Sequence, residues 1–258
     1  MITTYPVFLT FTQNHKTVYL RELTALDELG ISDSGTVSAV QLLNRLQSVP
    51  IADKTALFRA ETLVAADRDR LLAAIYKNTY NGLLRSTVPC TACAERFDLD
   101  FSLDALISHV QENTDTEIAV EQKADGLYEL SDGVCFRLPT GEDELAVVGL
   151  PPQYSVSILL ERCVQKGDIA LIGQQVQAAM AQIAPVLATD MSVQCPECGH
   201  QQTVFFDIQS FLLSRLIQEK KQTLWEIHRL ATAYHWTHSE IVNLPRSLRR
   251  NYVSLIDL

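Results

Sequence analysis

Two Cys-x-x-Cys pairs carry the clearest chemistry in this 258-residue chain. The first is Cys90-Thr91-Ala92-Cys93; the second is Cys195-Pro196-Glu197-Cys198, followed by Gly199 and His200. A Cys-x-x-Cys turn aims two thiolates at one point about 2.3 Å from each sulfur, and two such turns complete a tetrahedral zinc site. The Cys-Pro-x-Cys-Gly form is that of a zinc knuckle, with glycine where the backbone turns tightly under the metal. Four cysteines leave no open coordination position, so a zinc at Cys90, Cys93, Cys195 and Cys198 is expected to be structural. The pairs are separated by 101 residues, 94–194, whereas ordinary ribbons use roughly 15–20. Closure entropy grows only logarithmically with length, which makes such an insertion tolerable. The competing readings are a redox Cys-x-x-Cys and unconnected reduced cysteines. A redox reading favours one pair near a βαβ unit, and two matched pairs argue against it. His200 is expected beside the site or exposed rather than as a ligand, and Cys135 and Cys163 are expected as buried thiols.

The flanking patterns are those that would position two knuckles. Strands are expected at 84–89 and 96–102 around the first pair, and at 191–194 and 202–207 around the second. Between them the pattern predicts a helix at 103–112, strands at 117–120, 126–130 and 133–138, and helices at 141–148, 154–165 and 170–188, the last capped by Asp168. Upstream, 6–12 and 17–22 alternate as a hairpin around Gln13-Asn14-His15-Lys16. Helices are expected at 36–46, 53–63 and 66–80. The last has Asp67 and Asp69 near its N-terminal end, Gly82 past its C-terminal end, and Leu71, Leu72, Ile75 and Tyr76 as its packing face. Residues 208–258 read as helix: one long segment to Tyr234, then 238–243 and 246–256, with Pro245 in the first turn of the last. The apolar stripes expected there are Leu224, Ile227, Ala231 and Tyr234, then Leu248, Tyr252 and Leu255. The expected fold class is therefore α+β: an N-terminal hairpin and helices, a zinc-ribbon-like site with an α/β insertion at 103–188, and an all-helical C-terminal tail. The expected domains are 1–215 and a small helical module at 216–258.

Motifs of catalysis are missing: the sequence has no Walker-type phosphate loop, no G-x-G-x-x-G after a strand, no H-E-x-x-H and no G-x-S-x-G. The carboxylates of Gly141-Glu142-Asp143-Glu144 read as an acidic helix start, with Thr140 as N-cap and Asp143 three residues on. His228, His235 and His238 read as packing residues rather than ligands. No enzymatic activity is expected.

Lys and Arg number 21 against 31 Asp and Glu, a net charge of −10. Such a chain lacks the positive field behind most nucleic-acid affinity. Only Arg85 and Arg96 lie near the first pair, and 190–210 holds no Lys or Arg. The cluster Arg246, Arg249 and Arg250 reads either as a solvated helix face or as a docking surface for an acidic protein. The N-terminus has neither the charge nor the cleavage site of a signal peptide. The apolar stretch 169–189 is broken by Gly173, Gln174, Gln175, Gln177 and Gln182, so no membrane span is expected. The expected location is the cytoplasm, where six cysteines are not primarily disulfide candidates.

The order of several segments resembles the baseplate hub and hub-assembly proteins of contractile-tailed bacteriophages and related contractile injection systems. These segments are the opening strand with Thr17-Val-Tyr-Leu-Arg-Glu-Leu-Thr, the first Cys-x-x-Cys, Phe136-Arg-Leu-Pro-Thr-Gly-Glu-Asp-Glu, Cys195-Pro-Glu-Cys-Gly-His and Phe205-Phe-Asp-Ile, and they cover about 1–215. Trp225-Glu-Ile-His-Arg-Leu-Ala, Tyr234-His-Trp, Glu240-Ile, Leu244-Pro, Arg249-Arg250 and Tyr252 resemble a small helical module of the same systems. The resemblance implies a structural or assembly role through protein–protein contacts with other baseplate, hub or tail-tube proteins. It implies no small-molecule substrate, a zinc acting as staple, and possible retention in the finished particle. A transient tail-assembly chaperone and a nucleic-acid-associated zinc-ribbon protein are the alternatives.

Overall fold

The computed structural model describes residues 4–12, 16–48, 57–112 and 118–256. It is a mixture of helix and strand that divides into two compact units, one of 1–8, 15–60 and 209–258, the other of 9–14 and 61–208. This differs from the expected division at 215/216. The helices after 209 share a core with Ala25 and Leu29, near the start of the chain.

In the first unit Thr4–Phe8, Thr17–Arg21 and Gln47–Ser48 form an antiparallel sheet in that order. Strand structure stops at Phe8, short of the expected residue 12. Most of the expected turn, Gln13 to His15, lies outside the described residues. The helix Ala25–Leu29, not expected from the sequence, opens on a capping box between Thr24 and Asp27. Thr36–Leu46 is helical as expected. Of the expected helix 53–63, residues 53–56 lie outside the described residues, and the rest holds only a 3-10 turn at Ala60–Thr62.

The long segment expected from 208 to 234 is two helices, Ile208–Gln218 and Lys220–Tyr234, followed by His238–Val242 and Arg246–Ile256. Their core is Ile227, Leu230, Ile241, Val242 and Val253 with Ala25. Ile227, Ala231, Tyr234 and Tyr252 of the expected stripes pack into or against this core, whereas the leucines do not. Leu224, Leu248 and Leu255 are exposed, while Arg246 and Arg249 point inward. Arg249 is fully buried; its Nη2 donates to Glu28 Oε2 at 2.7 Å and its Nε to Glu226 Oε2 at 2.8 Å. Arg246 donates to Glu28 Oε1 at 2.8 Å and pairs with Glu219, and Thr223 Oγ1 donates to Glu28 Oε2 at 2.8 Å. The arginine cluster is thus neither a solvated face nor a free docking surface, except at half-exposed Arg250. His228, His235 and His238 are exposed, not packed; His235 ends its helix in the left-handed conformation, φ 56°.

In the second unit the helix Ala65–Tyr80 ends at Asn81 and Gly82, both at positive φ. Its acidic residues do more than complement a helix dipole. Asp67 is buried and accepts the N–H groups of Thr10, Phe11 and Thr12 at 2.8, 2.9 and 2.6 Å. Asp69 accepts the Leu187 N–H at 2.9 Å. Two hairpins follow the same plan: Leu83–Pro89 with Arg96–Ser102, and Ala188–Gln194 with Gln201–Asp207. Between them, after the helix Leu103–Glu112, lies an antiparallel sheet of Val120–Gln122, Leu127–Leu130, Cys135–Arg137 and Val164–Lys166. The helices Gly141–Leu145, Pro152–Cys163 and Ile169–Ile183 accompany it. Residues 164 and 165, expected to end the helix 154–165, instead belong to the edge strand Val164–Lys166. The insertion packs around Tyr128, Phe136, Leu160 and Val176 in an apolar core that it shares with Val64, Ala66 and Phe11. Thr140 and Asp143 make the expected capping box, and Asp143 also pairs with Arg137 at 2.5 Å and Arg162 at 2.8 Å. Asp168 caps its helix through the Ala170 N–H, also as expected. Among the described residues, no helix is long and apolar enough to cross a membrane.

Candidate metal centre

Each hairpin ends in a Cys-x-x-Cys turn closed by the same pair of backbone bonds. In the first, Cys90 N–H donates to Glu95 O at 2.8 Å and Ala94 N–H to Cys90 O at 3.0 Å. In the second, Cys195 N–H donates to His200 O at 2.9 Å and Gly199 N–H to Cys195 O at 3.0 Å. The residue after the second cysteine is left-handed in both, Ala94 at φ 62° and Gly199 at φ 72°. A glycine adopts this freely, whereas an alanine pays a steric penalty.

The structure brings all four sequence-expected ligands together. Cys90, Cys93, Cys195 and Cys198 place their sulfurs within 4.8 Å of one another, and they are the one such group among the described residues. The Cys90 and Cys198 sulfurs are 3.6 Å apart, and those of Cys93 and Cys195 are 3.8 Å apart. A tetrahedron with metal–sulfur bonds of about 2.3 Å has edges of about 3.8 Å. The four residues can therefore hold a metal ion without moving far. Cys90 and Cys195 are buried with Phe97 in a small apolar cluster beside Val88 and Val193, and Cys93 and Cys198 face solvent.

Electrostatics favour a cation here. The N–H groups of Cys93 and Ala92, aimed at the Cys90 sulfur, lower its pKa to about 6. At Cys93 the Glu95 N–H acts in the same direction. Desolvation and the neighbouring sulfurs of Cys198, Cys90 and Cys195 outweigh it and push the thiol up to about 12. Four thiolates this close repel one another, and a bound dication removes that penalty.

Side chains around the turns lock the hairpins together. Gln202 Oε1 accepts the Thr91 N–H at 2.8 Å, and its Nε2 donates to Pro89 O at 3.0 Å. His200 Nε2 lies 3.1 Å from Thr91 Oγ1 and so sits beside the site, as expected. Gln194 Nε2 donates to Gly199 O at 3.1 Å. Below them Phe101 and Phe206 meet edge to face, centroids 5.5 Å apart. The sequence gives no hint of the part played by Gln202 and Gln194, since a glutamine near a hairpin end is usually just exposed. Cys163 is buried as expected and Cys135 only half-buried; neither joins the cluster. No protein-family model, curated protein or solved structure matches the chain.

Proposed function

We propose that this chain is a structural or assembly protein of a phage-like contractile tail or injection-system baseplate hub, stapled by a structural zinc. The observation that carries the zinc reading is the all-sulfur site itself. Four thiolates at tetrahedral spacing suit a borderline-soft d10 cation and leave no position for water or substrate. Cys90, Cys93, Cys195 and Cys198 are its ligands, and the two hairpins form a zinc ribbon interrupted by the insertion. The zinc fastens together two hairpins whose shared apolar cluster is too small to do so alone. The chain then works by contact, without chemistry. The order of its motifs supports the hub assignment, and its acidic surface supports protein rather than nucleic-acid partners.

Two measurements test this reading. Metal analysis of protein purified without chelator should find about one zinc per chain, lost in Cys195→Ser; a metal-free, fully folded wild type would sink the staple. Quantitative mass spectrometry of assembled tail or injection particles from the source cells should recover the chain at a fixed low copy number. Presence in the lysate on another tail protein, but absence from particles, would make it an assembly chaperone instead.

A further inference from the structure

The insertion leaves much apolar surface uncovered. The helix Ile169–Ile183 contains no charged residue, yet only Val176 and Ala179 of it are buried, and Leu171 is 84% exposed. The helix Pro152–Cys163 buries only Leu160 and Cys163. Val148, Leu150, Tyr154 and Val156 add side chains 42–60% exposed. A monomeric surface scatters such residues singly, whereas grouped apolar side chains mark a contact surface. Between the two helices runs a groove of about 1170 Å³, lined by Val156, Leu160, Ile169 and Leu171 and also by the polar Ser157, Gln174 and Gln177. Gly173 lets the helices approach, since a Cβ there would stand 3.2 Å from Leu160. The charged groups lining the groove are Glu161 and Asp168, with no lysine or arginine.

We propose that this groove is the docking site for an amphipathic helix of a partner protein, one with an apolar stripe flanked by Lys or Arg. The inference rests on the reading of the chain as an assembly protein and names the surface through which it assembles. Val156, Leu160, Ile169 and Leu171 suit apolar residues at i, i+3, i+4 and i+7 of a helix, and Ser157, Gln174 and Gln177 suit its polar flanks. The two carboxylates select cationic flanks, and a net charge of −10 steers such a partner towards the chain. A second copy is a poor occupant. Two chains of net charge −10 repel one another, and in its helix Arg246–Ile256 the side chains of Arg246 and Arg249 are buried against Glu28 and Glu226.

The test uses the full chain and two fluorescein-labelled amphipathic peptides of about four turns, one of leucine and lysine, the other of leucine and glutamate. Fluorescence anisotropy should show saturable binding of the lysine peptide, and about tenfold or weaker binding of the glutamate peptide. Leu171→Glu and Val156→Glu, both at exposed positions, should each weaken binding about tenfold. Leu255→Glu, exposed in the other unit, should change nothing. Equal binding of both peptides, or indifference to Leu171→Glu, overturns the proposal. A concentration-dependent dimer abolished by Leu171→Glu also overturns it, by giving the face to a second copy. Recovery of Leu171→Glu in particles at the wild-type copy number sinks the groove alone and leaves the hub reading intact. Absence of the wild type from particles sinks the hub reading instead.

Discussion

Gln202 and Thr91 are 111 residues apart in the chain, yet the Thr91 N–H meets the Gln202 carboxamide at 2.8 Å. The same carboxamide returns a hydrogen bond to Pro89, so one side chain grips the backbone on both sides of Cys90. This contact fixes the cross-hairpin geometry on which the sulfur spacing depends. Outer partners of a metal site typically contribute tenfold to a hundredfold in affinity. Gln202→Ala is therefore expected to weaken metal binding about tenfold while leaving all four ligands in place. Competition with a chromophoric chelator measures this, and unchanged affinity would remove Gln202 from the site's support.

The two knuckles differ at one equivalent position, Ala94 against Gly199. Gly199 has open space around it, with Gln194 Nε2 the nearest atom at 3.8 Å from an added Cβ, so the backbone alone resists a side chain there. Gly199→Ala should cost about 1 kcal/mol. Ala94→Gly relieves that strain but returns entropy to the unfolded chain, for a net gain of about 0.5 kcal/mol. Urea denaturation of the metal-loaded protein should show these opposite signs.

Arg249 is fully buried between Glu28 and Glu226. Removing one partner of a buried pair strands the remaining charge, at a cost of about 3–5 kcal/mol. Arg249→Ala should lose that much stability. Leu255→Ala, on the exposed side of the same helix, should stay within about 0.5 kcal/mol. Fluorescence of Trp225 and Trp236 follows the unfolding of this unit.

Asp69 titrates unusually. Burial, assisted by Asp207 and Glu144 and opposed by Arg68 and the Leu187 N–H, raises its pKa to about 7. A folded-state pKa above the unfolded value means that its contribution is full below about pH 4 and is lost as pH rises through 7. Asp69→Asn, neutral at every pH and still able to accept the Leu187 N–H, escapes that loss. Its stability relative to wild type should rise between pH 5 and pH 8, read by thermal melting at each pH. A constant difference would show that Asp69 keeps an ordinary carboxylate pKa.

The sequence made the metal site legible because its signal is local: ligand type, three-residue spacing and flanking alternation all fall within about 20 residues of each pair. The burial of Arg249 was hidden because its partner Glu28 lies 221 residues away. Three arginines within five residues look like a solvated face unless distant carboxylates are brought to them. The same burial turns Leu248 and Leu255 outward against the expected stripe. Asp67 shows the milder case. Its place in the first helical turn was evident, but not that it would gather three backbone N–H groups from residues 10–12.

The insertion also sets a clock. During synthesis the Cys93 sulfur is made 102 residues before that of Cys195, its eventual neighbour. At ordinary elongation rates of 5–20 residues per second, the delay is roughly 5–20 s. Throughout it the first knuckle offers a metal two sulfurs and no more, a weak and exchangeable grip. The intervening sheet and helices share an apolar core with Val64 and Ala66, which are made earlier still, and can collapse within that wait. A metal held by all four sulfurs would thus be captured last, and a cell short of it would accumulate chains whose insertion is built but whose hairpins remain unfastened.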